Sequence, residues 1–150
     1  AEMQVWDRIY HQHGVDSLRR HILLAPHHCS MTALGEKDVD GNYVVSPYAN
    51  AVLGSFDGAG FVVASSKKIL DDDDNQPHWE ARRRYLEHLN AQDSGDPESR
   101  FLNPETHNGG NPAPVVFELT GAGPSLKVID KSSGPTIIAG SALGKPSRYG

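Results

Sequence analysis

Leu23-Leu24-Ala25-Pro26-His27-His28-Cys29-Ser30 is an apolar run that stops at a proline and at once delivers two imidazoles, a thiol and a hydroxyl. The continuous segment Ile22-Leu23-Leu24-Ala25 has the character of a strand covered on both faces, so helices are expected to pack on at least one side of it. A buried strand is a rigid base, and the loop leaving its carboxyl end can aim imidazoles at a metal with little loss of side-chain freedom. The chemistry of the chain is therefore expected at this strand end.

Upstream, Val5, Trp6, Ile9 and Tyr10 recur at helical spacing and predict an amphipathic helix over residues 2–12 that Gly14 ends, with a short polar turn over 16–20. Downstream, residues 35–43 are polar and carry the turn signal Asp40-Gly41-Asn42. Ser46-Pro47 predicts a helix start, the hydroxyl capping free amides and the proline missing no amide hydrogen, with Ala49, Val52 and Leu53 as the buried stripe. Gly58-Ala59-Gly60 closes that connection, and Phe61-Val62-Val63-Ala64 predicts a second buried strand that ends at Ser65-Ser66. Pro77 suits the first turn of a helix in which Trp79, Tyr85, Leu86 and Leu89 keep their spacing to about Asn90. Residues 92–114 are dense in turn formers and read as loop, apart from a short strand at Arg100-Phe101-Leu102.

Residues 115–119 and 126–129 predict a hairpin around Gly121-Ala122-Gly123-Pro124, and Thr136-Ile137-Ile138-Ala139 adds one more strand before a Gly- and Ser-rich tail. The order predicts an α/β domain, a layered mixed sheet with flanking helices, over residues 1–130, with the final strand and tail over 131–150.

Composition narrows the function. The chain of 150 residues suits one domain, and 14 basic against 19 acidic side chains argue against wholesale coating of nucleic acid or an anionic membrane. A lone cysteine excludes an internal disulfide and a multi-cysteine zinc site, so a reducing, cytoplasmic setting is the expectation. No apolar run approaches the ~18 residues needed to span a bilayer. The opening Ala1-Glu2-Met3 falls inside the helical pattern, and a preceding amino-terminal portion is expected.

The strand followed by Pro26-His27-His28-Cys29-Ser30 resembles the strand-Pro-His-His-Gly-Ser motif of metallo-β-lactamase-fold hydrolases, especially those related to the hydrolase domain of bacterial DNA-uptake competence proteins. The order that follows is similar to theirs over roughly residues 1–120: a helix, a strand at 61–65, a helix start resembling Gln76-Pro77-His78-Trp79-Glu80, and short strands at Phe101 and 115–119. Cys29 stands where the family has glycine, and the run Asp71-Asp72-Asp73-Asp74 is not part of the pattern. The family's amino-terminal His-x-His-x-Asp-His cluster is absent: after His11-Gln12-His13 the aspartate, Asp16, comes one position late and Ser17 follows it. The resemblance thus implies the carboxyl-terminal half of an αββα metallo-β-lactamase fold, inactive without its missing amino-terminal half.

In the complete family such a site holds two metals, zinc foremost and manganese as the alternative, and uses metal-bound hydroxide on a phosphodiester or related ester. The resemblance implies His27 as a metal ligand, and His28, Ser30 and His78 as groups that support the ligands or meet substrate. No residue of this chain is assigned as catalytic. Blander readings stand beside these: Cys29 as an inert buried thiol, Ser30 and Ser65-Ser66 as loop-ordering hydroxyls, the aspartate run as a solvated surface, and, among Arg82-Arg83-Arg84, which cannot share one helix face, at most one or two meeting a phosphate while another pairs with Glu80 or Glu87. The tail segment 140–146 imitates a phosphate loop but has three residues between its glycines and no Ser or Thr after Lys145.

The expected partners are the missing half or a complementing chain, a second copy of the chain, and nucleic acid or another phosphodiester as substrate. The alternative is a non-catalytic α/β interaction module whose histidine loop is structural.

Overall fold

The structure is a computed structural model and describes residues 2–71, 75–92 and 95–127. In chain order the elements are α1 (Glu2–His13), β1 (Arg20–Leu24), β2 (Gly35–Lys37), β3 (Tyr43–Val45), α2 (Pro47–Leu53), β4 (Phe56–Val63), α3 (Trp79–Asn90), β5 (Phe101–Leu102), β6 (Val116–Thr120) and β7 (Gly123–Lys127). The architecture is mixed α/β. Strands β1, β4 and β5 form one parallel sheet in the order β1-β4-β5, while β2–β3 and β6–β7 are separate antiparallel hairpins. Parallel and antiparallel pairing are therefore not mixed within one sheet among the described residues, contrary to expectation.

Register explains the core. Leu23, Val62 and Phe101 lie side by side across the sheet and point to one face. The two crossovers, β1–α2–β4 and β4–α3–β5, run in the same direction across the sheet, and with the hand usual for parallel strands both bring their helices to that same face. Ala49 and Leu53 of α2 and Ala81, Tyr85 and Leu89 of α3 accordingly share a core with Leu23, Val62 and Phe101. Helix α1 packs on α2 through the rings of Tyr10 and Tyr48, 5.1 Å apart, and Trp6 Nε1 donates to the Ala33 carbonyl at 2.8 Å.

The opposite face carries Ile22, Leu24, Phe61, Val63 and Leu102. Phe117 of the β6–β7 hairpin meets Phe61 edge to face, with centroids 5.1 Å apart, and Leu102 is buried. Leu24, however, is 63% exposed. The apolar run of β1 thus does not mark a strand covered on both faces; β1 is an edge strand with one covered face.

Local chemistry sets several boundaries. Ser46 caps α2 by accepting from Ala49 N at 3.2 Å, with Pro47 in the first turn, as the sequence predicts. The Asp38 carboxylate accepts from Asp40 N and Asn42 N, both at 2.9 Å, closing the β2–β3 hairpin at the Asp40-Gly41-Asn42 turn signal. Gly58-Ala59-Gly60 lies inside β4, taken up by an irregular register in which Arg20 and Ile22 oppose Phe56 and Phe61. Pro77 falls before the helix, whose cap residue is His78. Gly123 and Pro124 belong to β7, so the turn is Gly121-Ala122 alone. The predicted strand at 136–139, the tail with its 140–146 segment, residues 128–129 and Asp72-Asp73-Asp74 lie outside the described residues.

Two long-range ties lock the helices to the sheet. The buried Arg100 guanidinium donates to Leu89 O at 2.6 Å, Gly60 O at 3.3 Å and Gln92 Oε1 at 2.8 Å, so a cation meets the last carbonyls of α3 while binding β4. At Gly54, the cap of α2, an added Cβ would lie 2.5 Å from His88 Nδ1, so only glycine lets α3 approach this closely.

Two outcomes are expected. Arg100→Ala removes several hydrogen bonds to a charged donor and should cost about 3 kcal/mol in urea unfolding, whereas Arg83→Ala, at an exposed pair, should leave the midpoint nearly unchanged. Burial holds the His88 imidazole below its ordinary range, opposed by Glu87 and reinforced by Arg84. The unfolded chain then binds that proton more readily, so this contribution is fully present above about pH 6.5 and is lost as pH falls from there through the lowered value of the folded state. Between pH 7 and 5 the urea midpoint should fall less steeply in His88→Leu than in the wild type; equal slopes would contradict the assignment.

Candidate functional site: the cleft at the parallel strand ends

Because β1, β4 and β5 run parallel, their carboxyl ends at Leu24, Val63 and Leu102 lie on one side of the sheet, where open α/β folds place ligands. The loops that follow enclose a cleft of about 880 Å³. One wall is polar, with His28, Ser65, Ser66, Lys67 and Gln76; the other is formed by Pro104, Pro112, Ala113 and Pro114, with Glu105 at its rim.

The loop after β1 turns through His27, His28 and Cys29 at φ 48°, 57° and 66°, three consecutive side-chain-bearing residues in the left-handed region. Each costs about 1–2 kcal/mol there, so the conformation persists only because its surroundings hold it. Ala25 N donates to Val63 O, Cys29 N and Ser30 N donate to Pro26 O, and Cys29 O accepts from His78 N at 2.9 Å. Ser30 Oγ accepts from Thr32 N at 3.2 Å and from Gln76 Nε2 at 3.0 Å.

The four residues singled out from sequence separate into different settings. His28 faces the cleft. Its Nδ1 donates to the Ser65 carbonyl, which can only accept, so the Nε2 lone pair is the one left to meet a ligand. His27 is exposed on the same turn and does not line that cleft. Ser30 is fully buried and ties the loop to Gln76. His78 is 6% exposed; its Nδ1 accepts from Met31 N at 3.2 Å, and its ring meets Tyr43 edge-on at 5.9 Å.

A hydrolytic zinc site takes three protein ligands and an open position. Among the described residues no group of three His, Cys, Asp or Glu side chains comes together to hold a metal ion, so these residues do not by themselves make such a site. His11 sits in the last turn of α1 against Asp7, away from any such cluster. The arginine run is engaged with carboxylates: Arg82 with Glu98, Arg83 with Glu80 at 2.6 Å, and Arg84 with Glu87 at 3.1 Å.

Sequence reasoning missed Lys67, Gln76, Glu105 and the proline wall. Ser65-Ser66 marks the end of β4 in sequence, but what assembles the rest is Asn103, whose Nδ2 donates to Ser66 Oγ at 3.0 Å and Lys67 O at 3.1 Å, joining the loops after β4 and β5. Its Oδ1 accepts from Glu105 N at 2.8 Å, and the Glu105 carboxylate accepts from Lys68 N. No local motif announces this pairing of two loops far apart in the chain.

No family model, curated protein or solved structure matches the chain, and among the described residues no helix is long and apolar enough to cross a membrane.

Cys29 is fully buried beside Tyr85, and burial pushes its thiol up to about 12. At pH 8 its thiolate fraction is then roughly three orders of magnitude below that of a free cysteine, so modification by a disulfide reagent should be slower by at least that factor until the chain is unfolded in guanidinium. Rapid native labelling would place the thiol at the surface.

Proposed function

We propose that the chain is the carboxyl-terminal half of a metallo-β-lactamase-fold hydrolase, resembling the hydrolase domain of DNA-uptake competence proteins, that acts on a phosphodiester or related ester once completed by its amino-terminal half. The observation that carries this reading is the His27-His28-Cys29 turn, held in a left-handed conformation at the carboxyl end of a parallel strand, with His28 lining the cleft. Strained backbone kept by many hydrogen bonds is a hallmark of sites whose geometry matters more than their stability.

The arrangement of layers supports the same reading. Helices α2 and α3 cover one face of the sheet, while on the other, which the β6–β7 hairpin covers at Phe61, Leu24 remains open at an edge strand, leaving that edge for a second sheet, a complementing chain or another copy. Zinc, with manganese as the alternative, would take His27 as one ligand, and the other donors would come from the missing half. The chain's own contribution is to fix the imidazoles: His28 is oriented by the Ser65 carbonyl, and the turn is clamped by Ser30 and His78.

A non-catalytic interaction module with a structural histidine loop is the second reading. It is favoured by His78, whose buried ring staples Met31 instead of standing free.

The two are separated by expressing the chain together with the polypeptide encoded upstream of Ala1 and measuring metal content and hydrolysis of bis(p-nitrophenyl) phosphate. The hydrolase reading expects bound metal and turnover, with both reduced about tenfold or more by His27→Ala, as for loss of a direct ligand. Absence of metal and turnover from the completed protein, or metal content indifferent to His27→Ala, would leave the module reading.

A further inference from the structure

Beside the main cleft lies a second one of about 540 Å³, lined by Thr32, Tyr43, Lys67, Asn75, Gln76 and His78. Lys67 and Gln76 line both, so the two clefts adjoin at these residues. The smaller cleft is a collection of donors. His78 Nδ1 accepts from Met31 N, which leaves the ring proton on Nε2. Lys67 has no carboxylate within ion-pair distance among the described residues, and Tyr43, Asn75 and Gln76 add hydroxyl and amide hydrogens. No carboxylate is among the described lining residues; Glu105 lines only the larger cleft, where its oxygen is taken by Lys68 N.

A cation and neutral donors lining one open cleft suit a tetrahedral oxyanion, whose oxygens accept only. In the larger cleft, Pro104, Pro112, Ala113 and Pro114 offer apolar lining with no hydrogen-bond donor in their side chains.

We propose that the smaller cleft is a phosphoryl subsite, with Lys67, Gln76 and His78 as its principal donors, and that the proline lining of the larger cleft takes the apolar arm of the same molecule; the ligand class is a phosphate ester of an aromatic or other apolar group. This deepens the hydrolase reading by giving the ester's two ends separate places in the cleft. His78 then serves twice, clamping Met31 with one ring nitrogen and meeting the ligand with the other.

The test is binding by the present chain in EDTA, followed by calorimetry with phenyl phosphate, inorganic phosphate and phenol as probes. Phenyl phosphate should bind about tenfold or more tightly than either fragment, and Lys67→Gln should weaken it about tenfold, the loss expected for one charge-assisted contact, while leaving phenol binding unchanged. Lys68→Gln, which lines neither cleft, should alter none of the three. Phenyl phosphate binding that is absent, no tighter than phenol, or indifferent to Lys67→Gln would overturn the proposal. Since no metal is added and no bond is broken, this result stands apart from the hydrolysis assay, and either can fail without the other.

Discussion

Parallel pairing of three short strands is the constraint from which the rest follows. With Leu23, Val62 and Phe101 in register, the chain must return each time to the same end of the sheet, and the only economical returns run through helices. Two returns in one direction stack α2 and α3 on one face and bury their stripes against it. The same pairing sends every outgoing loop to one side, so residues far apart in sequence, such as His28, Lys67 and Glu105, come to share a cleft without any local signal between them.

The energetics of that cleft are unequal. Three left-handed residues in succession are a concentrated local cost of about 3–6 kcal/mol if each contributes its usual amount. Around them the backbone of Pro26, Cys29, Met31 and His78 is closed by hydrogen bonds, and the buried side chains of Cys29, Met31 and Leu34 anchor the loop in the main core. A loop that is also part of the core cannot relax by moving outward. It holds its imidazoles where a more comfortable backbone would not.

Elements with a strong local signal were legible in the sequence. The Ser46-Pro47 start of α2, the Gly14 end of α1, the reach of α3 to Asn90 and the brief strand at Phe101 all rest on capping chemistry or helical spacing. What was not legible depends on neighbours distant in the chain. Leu23 and Leu24 are chemically identical, yet one is covered and the other is open, because the side of the sheet that carries helices is a property of connectivity. Gly58 to Gly60 read as a turn since nothing local says that a strand can absorb them through a slipped register. At the site, the histidine pair was conspicuous, but which imidazole faces the cleft depends on the Ser65 carbonyl, and the donor-rich character of the smaller cleft depends on Lys67 and His78 lining the same space.

The near-contact between Gly54 and His88 has a bearing on how this sequence is free to drift. One side chain is missing so that another can fill its space, and the imidazole's remaining nitrogen is sealed inside without a hydrogen-bond partner among the described residues. Bulk gained at one position has to be surrendered at the other, so the two sites change acceptably as a pair while each is constrained alone. Spacing between the two sheet-covering helices is in this sense a single inherited character written at two places in the chain.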